Sequence, residues 1–310
     1  MKINVPLTVP KNKQREYKKN YKIATHKTGK VMLFAGDQKI EHLNDDFYGE
    51  GIPEEVADPE HFFRIAEKAH IGVFASQIGL IARYGRDYKK IPYVVKINSK
   101  TNLLKEDYKD AFSNELLSVK QVVDFKEKSK LKIVGVGCTV YLGSWYTNQM
   151  LKQATQMVYQ AHQEGLLAIV WMYSRGKGMK TIDNEVHLTA GGSGIALCLG
   201  ADFVKVKYPY SNKPKQDAKD FQEVVQAAGR TNVICSGGAK KNNKRFLTHI
   251  HNQIHIAGTK GAAVARNIYQ RPLDEAIRMA NAISAITLYN YSAADAYSVF
   301  LGEQELDKKN

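Results

Sequence analysis

DFVKVKY (Asp202–Tyr208), NVICSGG (Asn232–Gly238) and GAAVARN (Gly261–Asn267) are short runs rich in Val, Ile and Ala, separated by longer stretches with helical periodicity. Near-continuous apolar character marks strands buried on both faces, as in a parallel sheet covered by helices. The same unit recurs upstream in VMLFAGD (Val31–Asp37), IGVFAS (Ile71–Ser76), PYVVKIN (Pro92–Asn98), KIVGVGC (Lys132–Cys138) and LAIVWMY (Leu167–Tyr173). Helical stretches intervene, among them HFFRIAEKA after Asp58-Pro59, NQMLKQATQMVYQAHQ, DAKDFQEVVQAA and PLDEAIRMANAISAITLY, the last with Pro272 placed at a helix start. Eight β/α units predict an α/β fold, a single (β/α)8 barrel of the TIM type. A doubly wound open sheet would carry a dinucleotide fingerprint after its first strand, where this chain reads GDQKIEH.

The 310 residues are 44% hydrophobic and 25% charged, the composition of a globular protein with a large core. The expected organisation is a basic N-terminal extension over residues 1–25 and a barrel over 26–310, with a terminal helix or tail after Ser292. Forty-five Lys and Arg against 31 Asp and Glu leave a net charge of +14, which suits anionic partners. The excess sits in the first 25 residues and in scattered helical positions such as Lys126, Lys128 and Lys130, not in one stripe with interleaved aromatics. A phosphorylated metabolite is therefore expected as the main partner, and nucleic acid is not. Cys138, Cys198 and Cys235 form no CxxC pair, and neither a signal core nor a membrane-length apolar stretch is present. A cytoplasmic location is expected.

In a barrel the catalytic groups stand at the carboxyl ends of the strands. Lys205 and Lys207 are two apart in a strand and share a face. A lysine in a confined apolar site beside a second cation loses its proton more readily, and its neutral amine can attack a ketone to form an imine. A solvated strand, or a pair that only binds phosphate, accounts equally for the pattern. Trp171, Tyr173 and Arg175 follow the same alternation. A phenol beside a cation can have a lowered pKa and move a proton while the indole excludes water, or both rings simply fill the barrel. Asp37 closes the first strand, positioned to hydrogen-bond a sugar hydroxyl or balance the lysine charge, or else to form a turn. Glu41 and His42 belong to the same wall or begin the next helix.

Ser236, Gly237 and Gly238 end the seventh run and Arg266 follows the eighth, the loops that form a phosphate site in many barrels. The TAGGSG segment with Gly191, Gly192 and Gly194 lacks the Lys-Ser/Thr ending of a phosphate loop. His249, His251 and His255 lack the i, i+4 set that gathers imidazoles on a metal, and a solvated helix is expected there.

Taken in order, GDQKIEH, VVKIN, TVYLGS, WMYSR, GADFVKVKY, SGG and ARNIYQ resemble the archaeal-type class I fructose-1,6-bisphosphate aldolase family from about residue 30 to 285. The resemblance implies that Lys205 is the Schiff-base nucleophile with Lys207 as its neighbour. Tyr173 is then the proton shuttle, and Trp171 and Asp37 line the substrate. It assigns Ser236, Gly237, Gly238 and Arg266 to one phosphate and Arg175 to the other. It further implies metal-independent cleavage of fructose 1,6-bisphosphate into dihydroxyacetone phosphate and glyceraldehyde 3-phosphate. No cofactor is expected beyond the covalent intermediate on Lys205, and a homo-oligomer is. A related Schiff-base aldolase or transaldolase-type enzyme acting on another phosphorylated sugar stays open, as does a non-catalytic phosphosugar-binding barrel. The chain departs from the family pattern at Ala265 and Lys39, each standing where glycine is usual.

Overall fold

In the computed structural model, which describes residues 2–103, 110–179 and 185–308, eight parallel strands close into a barrel. They are β1 (Val31–Ala35), β2 (Val73–Gln77), β3 (Tyr93–Lys96), β4 (Ile133–Leu142), β5 (Leu167–Ser174), β6 (Phe203–Lys207), β7 (Asn232–Ser236) and β8 (Gly261–Val264). Each pairs with its sequence neighbours, and β1 closes onto β8 through Val31↔Gly261 to Phe34↔Val264. The expected (β/α)8 barrel is the observed one. Helices lie between the strands, the longest being Thr147–Gln163 and Leu273–Tyr289. The expected terminal helix is Ala293–Leu301, with Ser292 as its N-cap accepting from the Asp295 amide.

Strand alternation divides the apolar residues into two cores. Leu33, Ala35, Val73, Val94, Ile169, Phe203 and Ile234 fill the interior, while Met32, Phe34, Phe74, Val170 and Val204 face the helices. The eighth run ends sooner than its sequence suggests. Val264 is the last strand residue, and Arg266–Tyr269 is a short helical turn that carries Arg266 and Asn267 back across the barrel mouth.

The basic N-terminal segment is folded against the barrel floor. Gln14–Ala24 is a helix whose buried residues are Tyr17, Asn20 and Ala24, an i, i+3, i+7 stripe, with the cations on the opposite face. Tyr17 donates to Asp202 at 2.5 Å and Asn20 to the Gly165 carbonyl at 2.8 Å. Asp202 also accepts from the Ala168 amide and from His162, so a buried carboxylate ties this helix to the foot of β6, the strand that bears Lys205.

At the other end, Asn98 fixes β3 to β4 by donating to the Thr139 carbonyl and accepting from the Thr139 amide, at 2.8 and 2.7 Å. The mouth is thereby a rigid rim on which side chains can be placed.

Candidate active site

Strand register brings four side chains to one level of the interior. Lys96 pairs with Gly137, Thr139 with Trp171, and Trp171 with Lys205. Lys205 and Lys96 are each only 3% exposed. Their nitrogens stand 5.2 and 5.0 Å from the Trp171 ring centroid, within cation–π range. Gly137 makes room for this indole, since a Cβ there would lie 2.2 Å from Trp171 Cζ3.

Burial disfavours the ammonium form of Lys205 and Lys96 adds repulsion, while Asp37 and Glu41 act in the opposite direction; the pKa comes down to about 8. The second cation is therefore Lys96 and not Lys207, which corrects the expectation from the paired lysines. Lys207 does share the inward phase of Lys205, but it stands beyond the rim, 65% exposed and 2.6 Å from Glu185. Lys96 is held by Thr139 Oγ1 at 2.6 Å and lies 3.8 Å from Asp37 Oδ2. Nothing in VVKIN distinguished an inward lysine from one that snorkels outward.

Tyr173 takes the same inward phase as Trp171, its ring stacked at 6.4 Å from that of Tyr141. Burial, then the Asp37 and Glu41 carboxylates, hold its phenol well above the usual range, with the Ser236 hydroxyl acting the other way. The lowered pKa anticipated from its cationic surroundings is not what the site produces, because burial withholds solvation from a phenolate and the nearby carboxylates repel it. Tyr173 is a protonated phenol in the free protein. Two buried polar atoms beside it, Asp37 Oδ1 and Trp171 Nε1, have no hydrogen-bond partner among the described residues. One accepts and the other donates, and both are costly to leave unpaired.

The phosphate loops are joined by a residue the sequence did not single out. Asn267, fully buried, donates to the carbonyls of Gly237, Gly238 and Ala239 and accepts from the Lys241 amide at 2.9 Å. Gly238 has φ +67°, the left-handed conformation glycine adopts without steric cost. Arg266 Nη1 lies 3.5 Å from Asp46. Ala265 has φ −128°, outside the region that requires glycine, and Lys39 reaches Asn44 and the Phe47 ring, away from the cavity. Lys39 is therefore not part of the cavity wall, whereas Ala265 is.

Asp37, Trp171, Tyr173, Arg175, Lys205, Lys207, Ser236, Gly237, Gly238 and Arg266 all line a single cavity of about 450 Å³, together with Glu41 and His42. Glu41 accepts from Tyr141 at 2.7 Å and lies 3.8 Å from Arg175. A larger groove of about 970 Å³ at the opposite face is lined by Arg15, Lys18, Lys19, Lys22 and Lys27 with His26 and Tyr289, and by no carboxylate. The smaller cavity is the one that brings buried lysine, phenol, indole and carboxylate together.

Two side readings resolve as well. The TAGGSG glycines lie inside the helix Glu185–Cys198. His249 is fully buried between Tyr208 and Tyr210, against the solvated helix expected, because its face of Asn243–His255 packs inward; His255 is exposed. Among the described residues no three His, Cys, Asp or Glu side chains are grouped as a metal would require, and no helix is long and apolar enough to cross a membrane.

Residues 31–271 match the family described as DeoC/LacD family aldolase. The chain belongs to the DeoC/LacD aldolase family. It is 55% identical over 303 residues, 98% of its own length and 96% of the relative's, to a fructose-bisphosphate aldolase/6-deoxy-5-ketofructose 1-phosphate synthase of Methanocaldococcus jannaschii. A fructose-bisphosphate aldolase from Slackia heliotrinireducens superposes with a TM-score of 0.96 at 47% identity, covering 100% of this chain and 97% of that one. An archaeal fructose-1,6-bisphosphate aldolase solved with its catalytic lysine bound to the carbinolamine intermediate of its substrate superposes at 0.73 with 29% identity, covering 88% of this chain and 99% of that one. This DeoC/LacD aldolase is accordingly a lyase, and its similarity is to enzymes of the Schiff-base class.

Proposed function

We propose that this aldolase reversibly cleaves fructose 1,6-bisphosphate to dihydroxyacetone phosphate and glyceraldehyde 3-phosphate through an imine on Lys205. The observation that supports it most is a buried lysine with a pKa near 8, beside a second buried lysine, an indole and a protonated phenol. Such an amine is partly neutral near neutral pH and nucleophilic.

In this reading the Lys205 amine adds to the C2 carbonyl, forming the carbon–nitrogen bond of a carbinolamine. Tyr173 donates its phenolic proton to the departing hydroxyl and water leaves, giving the iminium. The new cation beside the phenolate offsets the carboxylates that opposed it. The phenolate then takes the C4 hydroxyl proton, and the C3–C4 bond breaks with its electron pair flowing into the iminium. The aldehyde leaves, Tyr173 returns the proton to C3 of the enamine, and water hydrolyses the resulting iminium, releasing the ketone and the neutral Lys205 amine while the proton set free returns to the Tyr173 phenolate. Asp37 Oδ1 accepts a substrate hydroxyl and Trp171 walls the reacting bond from water. The Ser236–Gly238 loop and Arg266 hold the C1 phosphate, Arg266 by charge-assisted bonds. Arg175 and Lys207 serve the far phosphate.

A second reading, addition of the same donor to an aldehyde without phosphate, is favoured by the far end of the cavity. There Lys207 is paired with Glu185 and Arg175 lies near Glu41, so both cations already have carboxylate partners. The Methanocaldococcus jannaschii relative carries both activities in its name. Cytoplasmic work in glycolysis or gluconeogenesis as a homo-oligomer completes the proposal.

The test is a coupled assay of purified protein with fructose 1,6-bisphosphate, with and without a metal chelator. Triose phosphates released at equal rates in both support the reading. No release, or release abolished by the chelator, contradicts it.

A further inference from the structure

The groove on the barrel floor has no part in the reaction at the mouth, and its cations come from the helix Gln14–Ala24 and the turn that follows it. Arg15, Lys18, Lys19 and Lys22 stand at i, i+3, i+4 and i+7, one face of that helix, away from the buried Tyr17, Asn20 and Ala24. Between Gln14 and Lys27 there are five Lys and Arg and a single carboxylate. That carboxylate, Glu16, lies 3.0 Å from Lys126 and 3.9 Å from Lys19, so Arg15, Lys18, Lys22 and Lys27 have no carboxylate partner among the described residues. Arg15 with Lys19, and Lys18 with Lys22, are like-charge i, i+4 pairs, which weaken a helix. An anion laid along the face relieves that repulsion.

The rest of the groove is apolar and aromatic, through Ile23, Pro92, His26 and Tyr289. Its rings form a column. The His26 centroid is 4.1 Å from that of His70, and His70 is 5.6 Å from Tyr289, with interplanar angles of 37° and 28°. His26 is fixed by donating from Nε2 to the Ile71 carbonyl at 2.8 Å, and His70 Nε2 is bonded to the Tyr289 hydroxyl at 2.7 Å. His26 and Lys27 both take the left-handed conformation, φ +45° and +64°, at a steric cost that glycine would not incur. The Lys27 amide meets the Lys22 carbonyl at 3.1 Å, so this turn caps the helix while placing an imidazole and a further cation on the groove wall.

The floor thus complements a planar ring joined to a short chain of anions. From Arg15 to Lys22 is about 10 Å at 1.5 Å per residue, long enough to follow a di- or triphosphate. A nucleic-acid surface would continue as a basic stripe with interleaved aromatics, whereas this row ends after two helical turns and borders a concavity of small-molecule size. We infer that the floor groove is a second ligand site, for a nucleoside di- or triphosphate. The base rests against His26 and Tyr289, and the phosphates lie along Arg15, Lys18, Lys22 and Lys27 in charge-assisted hydrogen bonds. Binding is non-covalent and does not involve Lys205.

The experiment is titration calorimetry of the full chain with ATP, tripolyphosphate, adenosine and a short single-stranded DNA as separate probes. ATP is expected to bind saturably, more tightly than tripolyphosphate, adenosine or the DNA. K18Q/K22Q is expected to weaken ATP about tenfold or more, while R266Q, at the barrel mouth, binds it as the wild type does. H26N keeps a residue that tolerates the left-handed backbone and is expected to weaken ATP several-fold while leaving tripolyphosphate unchanged. Equal ATP affinity in wild type and K18Q/K22Q, with circular dichroism showing both folded, overturns the assignment. So does loss of ATP binding in R266Q alone, which places the nucleotide at the mouth. Tripolyphosphate bound as tightly as ATP reduces the groove to a general anion patch, and DNA bound more tightly than ATP makes it a nucleic-acid surface; either result also overturns it. The aldolase reading is untouched by every one of these outcomes.

Discussion

Lys96 and Lys205 share one indole: their side-chain nitrogens lie 5.0 and 5.2 Å from the centroid of the Trp171 ring, one from β3 and the other from β6. An ammonium at Lys96 makes a second ammonium at Lys205 unfavourable, and this repulsion adds to burial in bringing the Lys205 pKa to about 8. The neutral fraction of Lys205 grows as pH rises through that value. In the wild type kcat/KM, which reports the free enzyme, should climb through a limb near pH 8. In K96M that limb should move to higher pH, by about one unit. An unmoved limb would mean that Lys96 has no part in setting the pKa.

The same shift affects stability. A folded pKa of about 8 against an ordinary 10.5 means that protonated Lys205 costs the folded state below about pH 8, and the cost is relieved as pH rises from 8 toward 10.5. K205M should be the more stable protein at pH 7, by roughly 3 kcal/mol at most, and the advantage should vanish above pH 10.5. Urea unfolding at several pH values reads both the magnitude and the sign.

Y173F tests the phenol separately from the amine. Because Tyr173 enters as a proton donor, its loss should lower kcat by about 10²- to 10⁴-fold while an imine still forms slowly on Lys205. Turnover within tenfold of wild type would remove Tyr173 from the proton path.

Gly137 and Gly79 make a matched pair. A methyl group at Gly137 meets Trp171 Cζ3 at 2.2 Å, whereas one at Gly79, in the helix Ile78–Tyr84, meets nothing within 4 Å. G137A should lose about 1–3 kcal/mol along with most activity, through displacement of the indole. G79A should gain roughly 0.5–1 kcal/mol with activity intact. Thermal unfolding beside an activity assay distinguishes the two.

Asn267 holds three carbonyls of the seventh loop. N267A should lose about 1–3 kcal/mol by leaving buried groups unpaired, and should raise KM for phosphorylated substrates more than it lowers kcat. A uniform effect on phosphorylated and unphosphorylated donors would make the residue purely structural.

The barrel was legible because strands buried on both faces leave continuous Val and Ile runs, and the strand-end residues Asp37, Trp171, Tyr173, Lys205 and Ser236 were legible because alternation assigns them a side. Other features were hidden, three of them beside or beneath the Lys205 strand. The helix Gln14–Ala24 reads as a basic tail because its buried stripe, Tyr17, Asn20 and Ala24, is narrow and includes a polar member, and its value depends on Asp202 far along the chain. Lys96 sits in an apolar run, where sequence does not show whether the ammonium points inward. The Tyr173 phenol looked acidic from its lysine neighbours, and its burial, with repulsion from Asp37 and Glu41 added, moves it the other way. Each miss concerns a partner distant in sequence, which local periodicity does not encode.

The most direct test of the account is peptide mass spectrometry after borohydride reduction in the presence of dihydroxyacetone phosphate, on wild type and K205M. The account predicts a reduced adduct on the peptide containing Lys205 and none on any peptide of K205M. An adduct on Lys96, or no adduct at saturating ligand with folded protein, would contradict it.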